Sequence, residues 1–281
     1  MEERATLAPR ERFPGGESDL WRKANPPAAA EIHLWLADYG AICDEGLLAD
    51  YRELLDDAEK AQEPRFHFAR DRRRYVVTRA LVRSILSRYL SIGPRECRFA
   101  TNAYGRPDIV NRQAMEISLS FNLSHTHSLI VLGVARGRSL GVDVENIRAR
   151  EVSIGIADRY FAPEEVRALS SAPRQEQQYR FFEYWTFKES YIKARGMGLS
   201  LPLDKFRFDY PGERAVAIAV DPELNDDAAR WQFWQFRPSP EYLVAVCAER
   251  SGPLAPSIVV RETVPLMSER PCAPELLRVS G

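Results

Sequence analysis

Fifteen residues, Tyr179 to Lys193 (YRFFEYWTFKESYIK), place Phe181, Phe182, Tyr184, Trp185, Phe187, Tyr191 and Ile192 almost all the way round a helix. A helix that is apolar on nearly every side lies inside a protein. An unpaired charge in such surroundings costs several kcal/mol, so Lys188, Glu189 and Lys193 need partners. Glu189 and Lys193, one turn apart, could pair with each other for about 0.3–0.5 kcal/mol if exposed. The surrounding aromatics argue against exposure, and the fold is therefore expected to bring polar groups from elsewhere to this helix.

With 281 residues, 45% of them apolar, the chain can form one large domain or two smaller ones with a core each. Lysine plus arginine (39) nearly cancels aspartate plus glutamate (40), so attraction for an anion must be local. The four cysteines, Cys43, Cys97, Cys247 and Cys272, form no Cys-x-x-Cys pair and no zinc spacing with the histidines, and read as reduced thiols of a cytoplasmic protein. No apolar run approaches the roughly 20 residues of a membrane span, and the N-terminus lacks a signal-peptide core.

The ends, 1–27 and 251–281, mix proline with charge and read as a flexible N-terminal segment and a loosely held C-terminal tail. Between them, Glu31 to Tyr39 alternates like a strand, Glu45 to Ala58 reads as a helix, and Arg70 to Leu90 as a longer one ended by Gly93-Pro94. Strand-like runs follow at Ile117 to Leu123, Leu129 to Ala135 and Leu140 to Val144. Helices dominate from Val152 to Arg195, interrupted at Pro163 and Pro173, until Gly196-Met197-Gly198 forces a turn. Short aromatic or β-branched strands occupy Phe206 to Tyr210, Ala215 to Val220, Trp231 to Phe236 and Tyr242 to Ala248. This order predicts an α+β fold of two halves, 28–138 and 139–250, joined near Arg136 to Leu140, although no residue-level repeat is visible.

In Gly141-Val142-Asp143-Val144-Glu145, the period of two puts Asp143 and Glu145 on one strand face. Adjacent carboxylates repel; unless solvent simply covers that face, a shared hard cation such as magnesium suits them, with phosphate oxygens completing its shell. At the strand end Phe121-Asn122-Leu123-Ser124-His125, the histidine is a turn residue or, beside Ser124, a donor to phosphate. The Tyr104-Gly105-Arg106-Pro107 turn presents an arginine, and Arg65, Arg70, Arg72, Arg73, Arg74 and Arg79 form a basic stretch. Without a base-stacking motif or recognition-helix pattern, nucleic acid is the weaker ligand reading for that stretch, behind the phosphate of a nucleotide.

Together these segments resemble the 4'-phosphopantetheinyl transferases of the long, two-lobed Sfp type. Gly141 to Glu145 is similar to the family's Gly-aliphatic-Asp-x-Glu strand, and Trp185 to Lys193 to its Trp-x-x-Lys-Glu-Ser-x-x-Lys helix; Phe121 to His125, Tyr104 to Pro107 and Gly196 to Leu203 match further elements. The resemblance implies two similar α/β lobes related by a pseudo-twofold axis, with coenzyme A in the cleft and a magnesium ion held by Asp143, Glu145 and Glu189. It implies that Ser124, His125, Arg106, Lys188 and Lys193 meet phosphate groups, and that Arg74 and Arg65 reach the 3'-phosphate. Glu189, Lys193 and Asp143 would carry the transfer, with Glu189, Glu165 or a metal-bound water as base. The acceptor would be an apo acyl or peptidyl carrier protein, the enzyme a cytoplasmic monomer without nucleic-acid or membrane partners. The remaining readings are another metal-dependent phosphotransferase or hydrolase, and a carrier-binding module that has lost catalysis.

Overall fold

The computed structural model describes residues 24–149, 151–152, 154–252 and 255–281, so most of the expected N-terminal segment 1–27 lies outside the described residues. In chain order the first half runs β1 (Glu31–Asp38), α1 (Glu45–Leu54), α2 (Asp57–Gln62), α3 (Ala69–Leu90), β2 (Phe99–Thr101), β3 (Pro107–Ile109), α4 (Arg112–Glu116), β4 (Leu119–His125) and β5 (Leu129–Arg136). The second runs β6 (Leu140–Asn146), α5 (Ala157–Tyr160), α6 (Pro163–Ser171), α7 (Arg174–Arg195), β7 (Phe206–Asp209), β8 (Ala217–Val220), β9 (Trp231–Arg237) and β10 (Tyr242–Glu249). Each half is a strand, a set of helices ending in one of 22 residues, a small hairpin and two long strands. Their pairings also match: β5 lies antiparallel between β1 and β4, as β10 does between β6 and β9. The chain is an α+β protein of two similar lobes.

Alternation along the strands builds the layers. Trp35, Ala37, Ile130, Leu132 and Val134 pack under α1 and α3, whereas Phe233, Leu243, Ala245 and Cys247 pack under α7. The opposite faces, with Ile32, Leu34, Val131, Val142, Val144, Trp234 and Val246, meet in a third core between the sheets. Proline sets the helix starts in the second lobe: Pro163 opens α6 and Pro173 is the residue before α7.

The tail departs from expectation. β11 (Ser257–Val264) pairs in parallel with β1, β12 (Ser268–Cys272) extends that sheet, and β13 (Glu275–Val279) pairs with β9 on the other. Charged contacts fasten it to both long helices: Arg88 of α3 to Glu269 at 2.7 Å, and Arg278 to Glu183 of α7 at 3.1 Å. Pro256, Pro265 and Pro274 fall at the ends of strands and Pro271 on the β12 edge, where a missing N–H disturbs no central ladder.

The repeat has a residue-level trace that spacing alone concealed. Arg83 lies fourteen residues after the first residue of α3, and Lys188 fourteen after the first of α7; both side chains are fully buried. Each is held by the third residue of the preceding helix. Arg83 Nε reaches Glu59 at 2.6 Å, and Lys188 Nζ reaches Glu165 at 2.7 Å. Glu59 and Glu165 also accept from the amide that precedes their own helix, at 3.2 Å from Asp56 and 2.9 Å from Ala162.

Candidate active site

The two sheets meet along a seam of side chains. Asn122, Ser124 and Thr126, alternate residues at the free edge of β4, accept hydrogen bonds from the amides of Val142 (2.9 Å), Val144 (3.3 Å) and Asn146 (3.1 Å) on β6. These side-chain oxygens replace the strand that β6 lacks on that side, and the register they impose sets Ser124 against Asp143. The Ser124 hydroxyl donates to Asp143 Oδ1 at 2.9 Å and accepts from Lys193 Nζ at 2.9 Å. Lys193 also donates to Asp143 Oδ1 at 2.7 Å.

Lys193 reaches that point because α7 lies directly on β6. A side chain at Gly141 would collide with the Ser190 carbonyl oxygen and the Ala194 amide, so the strand needs glycine where the helix crosses it. The helix turn that includes Ser190 and Ala194 also carries Glu189 and Lys193. Glu189 is half-buried and has no hydrogen bond or ion pair among the described residues. Burial first, and the charge of Asp143 second, push its carboxyl up to about 6, with Lys193 opposing. At the rim stands His125, its pKa lowered by the protein crowding its ring and then by Arg74; Lys193 adds to this. Arg74, in the first turns of α3, pairs with Asp71 at 3.3 Å, so α3 presents its N-terminal end where α7 presents its C-terminal half. Glu145 shares the Asp143 face and accepts from Thr126 Oγ1 at 3.5 Å.

Asp143, Glu189, Lys193, Ser124, His125 and Arg74 thus come together from four elements of both lobes. The others do not. Lys188 spends its ammonium on Glu165, on Leu203 O (2.8 Å) and on Phe206 O (2.7 Å), fully enclosed in the second core. It is corrected from a phosphate ligand to a structural cation, and Glu165 from a base to its counter-ion. Arg106, expected at a phosphate, bonds the carbonyls at the end of α7 with its guanidinium. Arg65 is exposed in the turn before α3 and bonds Gln62 at 3.2 Å. The pairing of Glu189 with Lys193 does not form; Asp143 and Ser124 take the ammonium instead. Asn122 and Thr126 were missed, although their alternation with Ser124 along one strand face is a legible signal of a shared role.

Among the described residues no three His, Cys, Asp or Glu side chains form a ready metal cluster; the cation on Asp143 is Lys193. The donor set nevertheless fits a hard divalent ion. Asp143 is buried, its Oδ2 has no hydrogen-bond partner, and the neighbouring Glu189 carboxylate is raised by Asp143 with nothing to offset it but Lys193.

Two family models match the sequence: "4'-phosphopantetheinyl transferase superfamily" over residues 139–247 and "4'-phosphopantetheinyl transferase, N-terminal" over residues 46–136. The matches part between β5 and β6, where the chain passes from one sheet to the other. The 4'-phosphopantetheinyl transferase HetI of Nostoc sp. is 38% identical over 79% of this chain and 89% of its own. The 4'-phosphopantetheinyl transferase Sfp of Bacillus subtilis is 30% identical over 75% and 91%. A further Bacillus subtilis relative, ffp, is 32% identical over 75% and 92%.

Proposed function

The chain belongs to the 4'-phosphopantetheinyl transferase superfamily, and on that premise we propose that it moves the phosphopantetheine arm of coenzyme A onto a serine of an apo acyl or peptidyl carrier protein. Adenosine 3',5'-bisphosphate would leave, and Asp143, Glu145 and Glu189 would hold a magnesium ion. One observation carries the reading: the buried Asp143 carboxylate meets Ser124 and Lys193 from the other two elements of the seam, with one oxygen uncommitted and Glu189 beside it.

In the reaction the carrier serine Oγ forms a bond to the pantetheine-side phosphorus, and the bond from that phosphorus to the bridging oxygen breaks. The serine proton would go to Glu189, whose carboxylate has no hydrogen-bond or ion-pair partner among the described residues and lies beside Asp143. Lys193 and the Ser124 hydroxyl place positive charge and a donor at the diphosphate. His125 and Arg74 add donors further along the nucleotide. A bound magnesium ion supplies charge neutralisation at the diphosphate and at the leaving oxygen. All these groups come from a single chain, which supports action as a monomer.

Mass spectrometry of purified apo carrier proteins, incubated with the protein, coenzyme A and magnesium, tests the reading. A phosphopantetheine adduct on the serine is expected, lost in Asp143→Ala, whose secondary structure should match the parent. Steady release of the bisphosphate with no carrier present and no adduct would instead mark a hydrolase.

A further inference from the structure

The turn between β2 and β3 of the first lobe reaches across to the last turn of α7 in the second. Arg106 donates through one terminal nitrogen to Lys193 O (2.9 Å) and Ala194 O (3.2 Å), and through the other toward Phe121 O (3.5 Å) on β4. Asn102 donates to Gly196 O at 2.8 Å, and its side-chain oxygen accepts from the amides of Tyr104 (2.9 Å) and Arg106 (3.0 Å), shaping the turn that presents the arginine. Gly105, at φ +83°, makes that turn possible.

The last carbonyls of a helix lack partners within it and carry its partial negative charge, so a guanidinium there satisfies them in both respects. Gly196, at φ +67°, ends the helix with its own amide on Ile192 O and Lys193 O. The cation that completes this cap comes from the other lobe. One side chain thereby touches the strand that carries Ser124 and the peptide unit of Lys193 itself. We infer that Arg106 is a positioning residue, which fixes Lys193 relative to Ser124 and Asp143 by capping α7, and that it does not contact the donor's phosphates. Its Nε is buried and faces the Asp108 carboxylate at 3.8 Å, so that edge of the guanidinium is turned away from solvent and toward an anion of the chain's own. The inference rests on the transferase reading only in taking Lys193 to act at the diphosphate.

Arg106→Met and Arg106→Lys, compared with the parent, decide the matter. In Arg106→Met, kcat for carrier modification should fall about 10- to 100-fold, the scale of a misplaced catalytic group, while the dissociation constant for adenosine 3',5'-bisphosphate stays within about twofold. Hydrogen exchange at residues 193–196 should speed up in the same variant, and Arg106→Lys, which keeps a cation at the helix end, should recover part of both losses. A tenfold loss of bisphosphate affinity with kcat preserved would make Arg106 a phosphate ligand and overturn the inference. Unchanged exchange at the end of α7 would overturn it equally. If the parent modified no carrier, the transferase reading would fail, and the exchange comparison would still decide what Arg106 does.

Discussion

Helices α3 and α7 have the same length, cover corresponding faces of corresponding sheets and bury a cation at the same turn against a glutamate of the preceding helix, yet only α7 supplies the carboxylate and the ammonium of the proposed site. The difference begins at the next residue. Where α7 has Glu189, α3 has Ser84, whose hydroxyl bonds the Leu81 carbonyl of its own helix; where α7 has Lys193, α3 has Arg88, tied to Glu269 of the tail. The buried ion pair is architecture present in both lobes, and the carboxylate that we propose as base is a local variation beside it. Lys188 and Glu189, adjacent in sequence, accordingly do opposite jobs: one faces into a lobe, the other faces across the seam.

Glu189→Gln should break the comparison most severely. Transfer is expected to fall by about 10²- to 10⁴-fold, the range of a lost general base, whereas Ser84→Ala at the matching point of α3 should leave initial rates within about twofold. Equal losses in the two variants would mean that the lobes share the chemistry. Next in size, Lys188→Met leaves Glu165 buried and uncompensated and should cost about 3–5 kcal/mol of unfolding free energy, read from the urea midpoint at constant slope. Replacing both partners, Lys188→Met with Glu165→Leu, should recover most of it. Arg83→Met should cost less, about 1–3 kcal/mol, because Glu59 keeps Arg79 and Asp56 is partly open to solvent. A larger loss at Arg83 than at Lys188 would reverse the ranking of the two lobes.

The smallest effect concerns pH, and it belongs to the first half alone, where all four histidines lie. Burial, and then Arg261, lower the pKa of His33. The unfolded chain therefore takes up a proton near pH 6.5 that the folded chain still refuses. The contribution of neutral His33 is present above that pH and is lost as pH falls below it. Wild type should lose more stability between pH 7.5 and 5.5 than His33→Gln does; parallel losses would show that the imidazole is not what titrates.

The site was legible wherever chemistry and local period coincided. Alternation put Asp143 beside Glu145, and the all-round apolar helix demanded outside partners for Lys193, which Asp143 and Ser124 supply. It failed where two residues of one charge type differ only in the direction they face. Lys188 and Lys193 look alike in sequence, and only the packing of α7 between β6 and β7 sends one inward. The reach of Arg106 to the end of α7 was not legible because a turn arginine and a helix-capping arginine share one local signature; the capped helix lies in another lobe. The tail was read as loose because its strands have no partner nearby in sequence: β11 pairs with β1, more than two hundred residues away. The repeat went unseen because Glu59–Arg83 and Glu165–Lys188 share only the glutamate: the cation changes from arginine to lysine within unlike surrounding sequence.

That last pairing bears on how the chain is made. Synthesis runs from the N-terminus, and early segments begin to fold while later ones are still on the ribosome. β1 emerges more than two hundred residues ahead of β11, the strand that seals its open edge, and Glu183 emerges well ahead of Arg278, one of its two counter-ions. The nascent first lobe therefore waits with a bare strand edge while the whole second lobe is made, and a premature stop between β10 and β11 would release a protein with α7 intact and its first sheet unfinished.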